Sequence, residues 1–183
     1  MRVILGSLKG RAIKVPSGIR PVSNRVKKAC FDILKDVIGD KRVLELFAGS
    51  GALGIEALSQ GAKEAVFVDV KPECVRAIKE NIFSLGISEK ANVHLKDTAS
   101  AINDFYVYKE KFDLIFLDPP YHEAKLINTL QNLEDYDILT PSGYIVCLCY
   151  IKDEYVKNSG KFSVILEKKY GQTLLLVYAR KEA

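Results

Sequence analysis

Along this 183-residue chain the spacing of apolar positions changes repeatedly, and each change marks an element. Residues 42–47, 112–117 and 144–150 are nearly continuous apolar runs, 65–68 is a shorter one, and 92–95 also reads as a short strand. Runs of this kind, bounded by polar or glycine positions, predict strands buried on both faces. Between them the period lengthens. Val26, Cys30, Ile33, Leu34 and Val37 recur at helical spacing, with Ser23 placed to cap the start and Gly39 to end it, which predicts a helix over 24–38. Helices are also predicted at 52–60, at 72–85 with Pro72 near the start, and near 123–133. Residues 1–15 read as two short strands about the turn Gly6-Ser7-Leu8-Lys9-Gly10, followed by a linker marked by Pro16, Gly18 and Pro21. Residues 162–166 and 173–178, on either side of Gly171, read as an antiparallel pair.

Alternating buried strands and helices imply a doubly wound, Rossmann-like α/β fold. Its sheet is expected to be mostly parallel with an antiparallel C-terminal strand, and to carry a small N-terminal β-hairpin. The expected division is 1–20 for the hairpin and a basic extension, and 21–183 for the main domain. Ligands of such folds bind beyond the carboxyl ends of the strands, so the chemistry is sought in the residues just after each strand.

Composition narrows the setting. A hydrophobic fraction of 48% supports a sizeable core. No apolar run nears the roughly 18 residues of a membrane span, and no signal peptide is evident, so a cytoplasmic protein without membrane contact is expected. The four cysteines, Cys30, Cys74, Cys147 and Cys149, form no Cys-x-x-Cys pair, and the only histidines are His94 and His122. No metal site is expected, and the cysteines read as core residues in a reducing compartment.

Charge is uneven. The net charge is +4, yet residues 1–28 hold eight basic side chains and no acidic one. A concentrated basic segment suits phosphate contacts. Those side chains are Arg2, Lys9, Arg11, Lys14, Arg20, Arg25, Lys27 and Lys28, and on charge alone a solvated face that aids solubility is the alternative reading.

The first sheet strand leads into Glu45-Leu46-Phe47-Ala48-Gly49-Ser50-Gly51-Ala52-Leu53-Gly54, and Asp69 closes the second. Gly49, Gly51 and Gly54 satisfy the dinucleotide pattern, so a dehydrogenase has to be weighed. Glycines let the backbone approach a ligand, and a carboxylate after the second strand can accept from ribose hydroxyls. Glu45 favours another ligand. An extra carboxylate would repel a pyrophosphate but attract a cation, and S-adenosylmethionine is a phosphate-free sulfonium and ammonium. The candidate cofactor residues are therefore Glu45, Phe47, Ala48, Gly49, Ser50, Gly51, Asp69 and Val70. Asp97 and Thr98 join them after the third strand, where Asp97 could meet an adenine amine or cap the next helix.

The fourth strand ends in Asp118-Pro119-Pro120-Tyr121. Two prolines stiffen the turn. Asp118 and the Pro119 carbonyl could hold both N–H bonds of a planar amine and aim its lone pair at a methyl donor, while Tyr121 stacks on the base. Asp118, Pro119, Pro120 and Tyr121 are the candidate catalytic residues, with Asp118 also on the cofactor side. His122 reads as a bystander.

These motifs, with Gly10-Arg11, the segment Ile19-Arg20-Pro21-Val22-Ser23-Asn24-Arg25-Val26 and a late Tyr170-Gly171-Gln172, give a chain that resembles the RsmD family over essentially its whole length. The resemblance implies the class I methyltransferase fold and transfer from S-adenosylmethionine to the N2 amine of a guanine in 16S ribosomal RNA. It also implies S-adenosylhomocysteine as product, a small-subunit particle as substrate, a monomeric enzyme, and Arg2, Lys9, Arg11, Arg20 and Arg25 as candidate RNA-binding residues. Asn24 and Lys28 depart from the family's usual Asp and Glu, and residues 143–149 lack an acidic residue often found there. The alternatives are an adenine-N6 methyltransferase of DNA or RNA, a glutamine-N5 methyltransferase of protein, and a non-catalytic RNA-binding module.

Overall fold

The structure is a computed structural model that describes residues 1–120, 125–153 and 158–181. The central sheet has the order β3-β2-β1-β4-β5-β8-β7-β6. Its parallel part is β1 (Arg42–Leu46), β2 (Glu64–Asp69), β3 (Ala91–Leu95), β4 (Phe112–Leu117) and β5 (Leu139–Tyr150). Antiparallel β8 (Thr173–Arg180) lies between β5 and β7 (Phe162–Tyr170), and the two-residue β6 (Asn158–Ser159) pairs with β7. The doubly wound sheet with an antiparallel C-terminal strand is therefore as expected.

Successive side chains of a strand point to opposite faces, so an apolar strand feeds two cores. Val43, Phe67, Leu114, Phe116 and Val146 enter one core with helices α1 (Asn24–Leu34), α2 (Ala52–Ser59) and α3 (Pro72–Leu85). Leu44, Val66, Ile115, Leu117 and Ile145 enter the other with α4 (Thr98–Val107) and α5 (Lys125–Asp135). Among the described residues no helix is long and apolar enough to cross a membrane.

Some elements differ from the pattern in the sequence. Helix α1 stops at Leu34 because the chain turns there and carries Ile38 into the core. Strand β5 begins five residues earlier than its apolar run, across Pro141 and Gly143, where the β4–β5 register shifts. A proline without an N–H is tolerated at such an irregularity. The N-terminal hairpin is reduced to one bridge, Arg2 with Ala12. Backbone bonds between Val3 and Arg11 and between Met1 and Ile13 still cross it, while its turn bonds to α2. Ile4 and Leu5 N–H donate to the Glu56 carboxylate, and Ser7 and Leu8 N–H donate to Ser59.

This docking explains a charge inside the core. Lys27 and Glu56 are both 0% exposed, and Lys27 Nζ lies 2.8 Å from the Glu56 carboxylate and donates to the Arg2 carbonyl. Lys27 therefore leaves the basic surface that the sequence suggested. Lys14 and Lys28 pair with Glu80 and Asp32. Arg2, Lys9, Arg11, Arg20 and Arg25 remain exposed.

Candidate active site

The carboxyl ends of the first four parallel strands open on one cleft of about 890 Å³. Glu45, Phe47, Ala48, Gly49 and Ser50 line it from β1, Asp69 and Val70 from β2, and Asp97 and Thr98 from β3. Asp118, Pro119 and Pro120 line it from β4. Tyr121 and His122 lie outside the described residues.

The loop after β1 is bent sharply. Phe47 adopts a φ of 58°, and Gly49 and Gly51 follow at 55° and 75°. Left-handed backbone is cheap only for glycine, so Phe47 is a strained residue held by its surroundings. Gly51 stands between Ser50 and Ala52, which line the cleft, and is not itself part of that lining. It precedes α2, and an added Cβ would stand 3.2 Å from the Phe67 ring and 3.3 Å from Ile78. Gly54 lets α2 lie close on β2, since a Cβ there would be 2.4 Å from the same ring.

Glu45 lines the cleft but is not an open carboxylate. Its oxygens accept from Leu53 N–H at 3.2 Å and Gly54 N–H at 2.8 Å, at the start of α2. A dinucleotide pyrophosphate uses such helix N-terminal groups. Here a carboxylate already occupies them. Burial pushes the Glu45 carboxyl up to about 8, against its two N–H donors, and Asp118 and Asp69 add to the rise.

Asp69 accepts from Gly49 N–H at 2.8 Å and from Lys71 N–H at 2.9 Å, so it fixes the glycine loop while facing the cleft. Asp97 caps α4 through Ser100 N–H at 3.0 Å and also lines the cleft. Backbone and side-chain donation from Ser100 holds its carboxyl below the ordinary range. Asp118 is half-buried. Desolvation pushes its carboxyl up to about 7, opposed by the positive charge of Arg20.

The five basic candidates divide. The Arg2 guanidinium donates to the Gly10 carbonyl and that of Arg11 to the Ser84 carbonyl. Arg20 instead lines the cleft, beside Pro21 and Ser23. Lys9 and Arg25 are exposed and do not line it.

Other contributors carried no site role in the sequence. Asn128, Thr129 and Asn132 face the cleft from α5, and Leu148, Tyr170, Gln172 and Thr173 face it from β5 and the β7–β8 turn. The turn could have been inferred, because an antiparallel strand begins at the edge where its parallel neighbours end. Buried Asn81 left no local signal. Its side chain accepts from Lys14 N–H and donates to the carbonyls of Lys14 and Ser50, tying the N-terminal arm to the glycine loop.

The residues fit a cationic, phosphate-free ligand with a ribose. Glu45, Asp69, Asp97 and Asp118 place carboxyl groups around one cleft, and the helix end that would take a phosphate is capped. Fold and site together define an S-adenosylmethionine-dependent methyltransferase of class I architecture. Similarity to known proteins agrees. The family described as Conserved hypothetical protein 95 matches residues 1–179. The chain is 36% identical to YlbH of Bacillus subtilis (strain 168), a candidate rRNA methyltransferase, over 99% of this chain and 100% of that one. It is 30% identical to Ribosomal RNA small subunit methyltransferase D of Escherichia coli (strain K12), over 99% of this chain and 90% of that one. A solved structure of the candidate methyltransferase yhhF from Escherichia coli superposes with a TM-score of 0.87 at 31% identity, covering 100% of this chain and 99% of that one. The chain belongs to the Conserved hypothetical protein 95 family, the RsmD family.

Proposed function

We propose that the protein methylates the N2 amine of a guanine in 16S ribosomal RNA, acting as a monomer on a small-subunit particle. The observation that carries the reading is that Asp118 and Pro119 share one cleft with the glycine loop and Asp69. Relatives named for small-subunit rRNA methylation support the substrate class.

When bound, the donor supplies an electrophilic methyl group on a sulfonium. The chain's residues hold the acceptor. An exocyclic amine has its lone pair delocalised into the ring and is a poor nucleophile. The Asp118 carboxylate and the Pro119 carbonyl each accept one N–H, which turns the lone pair out of the ring plane and stabilises positive charge growing on nitrogen. The rigid diproline turn keeps both acceptors in place, so alignment supplies much of the rate. As the N–C bond forms the methyl's bond to sulfur would break, leaving a neutral thioether, and the nitrogen sheds one proton to Asp118 or to water. Tyr121 completes the proposed catalytic set by stacking on the base.

The same acceptors would hold an adenine N6 amine, so the base has to be identified. Purified protein, labelled S-adenosylmethionine and small-subunit particles lacking the modification should yield N2-methylguanosine at one position, with plasmid DNA unlabelled. Label in DNA alone, or in N6-methyladenosine, would overturn the reading.

The exposed arm has its own signature. Arg2, Lys9 and Arg11 are proposed to touch RNA phosphates. Neutralising all three should weaken RNA binding whatever the sequence. It should also flatten the slope of log affinity against log salt by about 0.7–0.9 for each phosphate left unneutralised. Titrations at several salt concentrations check this, and an unchanged slope returns the arm to a solvated face.

A further inference from the structure

We propose that Arg20 binds the carboxylate at the amino-acid end of the methyl donor. The proposal rests on the donor being S-adenosylmethionine and not on which base is methylated.

The order of strands along the sheet edge gives the direction. Asp97 follows β3, Asp69 follows β2, the glycine loop follows β1 and Asp118 follows β4. With the ribose at Asp69 and the adenine toward Asp97, the amino-acid half extends past the glycine loop toward β4. Arg20 is at that end. Its neighbour Ile19 covers the glycine loop, with Cγ2 3.3 Å from where a Cβ on Gly49 would stand. Arg20 lines the same cleft as Gly49 and Asp118, and its charge is felt by Asp118.

The other cations of the cleft are placed differently. Lys71 follows β2, beside Asp69, at the ribose end, and Lys125 comes from α5 on the opposite face of the sheet. The donor has a single anionic group. A guanidinium offers a planar fork matched to a carboxylate, which an ammonium does not. The segment bearing Arg20 is also anchored. Ile19 N–H donates to the Pro16 carbonyl, Pro21 fixes the next residue, and Ser23 caps α1 through Val26 N–H. An arginine on a braced segment loses less freedom on binding than one on a loose arm.

Calorimetry on the full-length protein separates this role from RNA binding. The probes are S-adenosylhomocysteine and 5′-methylthioadenosine, the same thionucleoside without the amino-acid end. Arg20→Ala should weaken S-adenosylhomocysteine about tenfold or more, as expected for losing a charge-assisted pair. It should leave 5′-methylthioadenosine within about twofold, and Arg20→Lys should fall between. Unchanged S-adenosylhomocysteine affinity in Arg20→Ala, or equal losses for both ligands, would overturn the proposal. Wild-type protein that binds neither ligand would sink the donor assignment itself, which is a different result.

Discussion

Asp118→Asn should lower methyl transfer about 10²–10³-fold while cofactor affinity stays within a few-fold. Asn keeps the shape and one acceptor but removes the charge that stabilises an amine becoming cationic, and losing such a group costs about that factor. The charge also predicts a pH profile. Burial pushes the Asp118 carboxyl up to about 7, so below that pH the group is increasingly neutral and cannot accept with both oxygens. Wild-type kcat/KM should therefore rise with pH through about 7, and the slope should vanish in Asp118→Asn. The same substitution should stabilise the cofactor-free protein. A carboxyl whose pKa is raised by folding carries no penalty below about pH 4, where it is neutral in both states. As pH rises toward 7 the unfolded chain ionises first and folding loses stability, and above about 7 the loss is complete. Asparagine escapes it, so at pH 8 the variant should gain about 1–2 kcal/mol, a figure reduced because Asp118 borders a solvent-filled cleft. Single-turnover assays and denaturant midpoints at pH 5 and pH 8 check both halves.

Lys27→Met should cost about 3–5 kcal/mol of folding stability, the largest stability effect expected from one substitution here. Glu56 would remain 0% exposed with its ion-pair partner gone. It would keep the N–H groups of Ile4 and Leu5, but two neutral donors do not replace an ammonium. Against a typical total of about 5–15 kcal/mol, that loss is severe. The double variant Lys27→Met with Glu56→Gln should recover most of it, because Gln presents an acceptor to the arm without a buried charge. Urea unfolding of the three proteins gives the comparison. A single variant as stable as wild type would mean that the pair is solvated and that the arm is held by other interactions.

These two sites also show where sequence reading reaches its limit. The strands, the glycine loop, Asp69 and the Asp118-Pro119-Pro120 turn were legible because each is written in a local run: an apolar stretch, then residues with special backbone needs. Parallel strands joined by crossovers bring their carboxyl ends to one edge, so convergence of the loops there was legible too. Lys27 was not. Within its own segment it is one cation among eight, and its partner lies a full strand and loop away in α2. Asn81 bonds to Lys14 across 67 residues, which no local period records. Glu45 was assigned to the ligand side, but its hydrogen bonds belong to the helix behind it. Both carboxylate oxygens accept from N–H groups at the start of α2, which no local run records. Arg20 was grouped with the basic arm by the family resemblance, whereas Ile19 lies over the glycine loop and Arg20 lines the cleft.

A structure of the protein with S-adenosylhomocysteine tests the central claim most directly. The ligand's ribose should lie against Asp69 and its sulfur between the Gly49 loop and Asp118. There, an amine nitrogen held by Asp118 and Pro119 would lie about 3–3.5 Å from the position of the transferred methyl. A sulfur that points away from Asp118, or a ligand seated in a separate cavity, would contradict it.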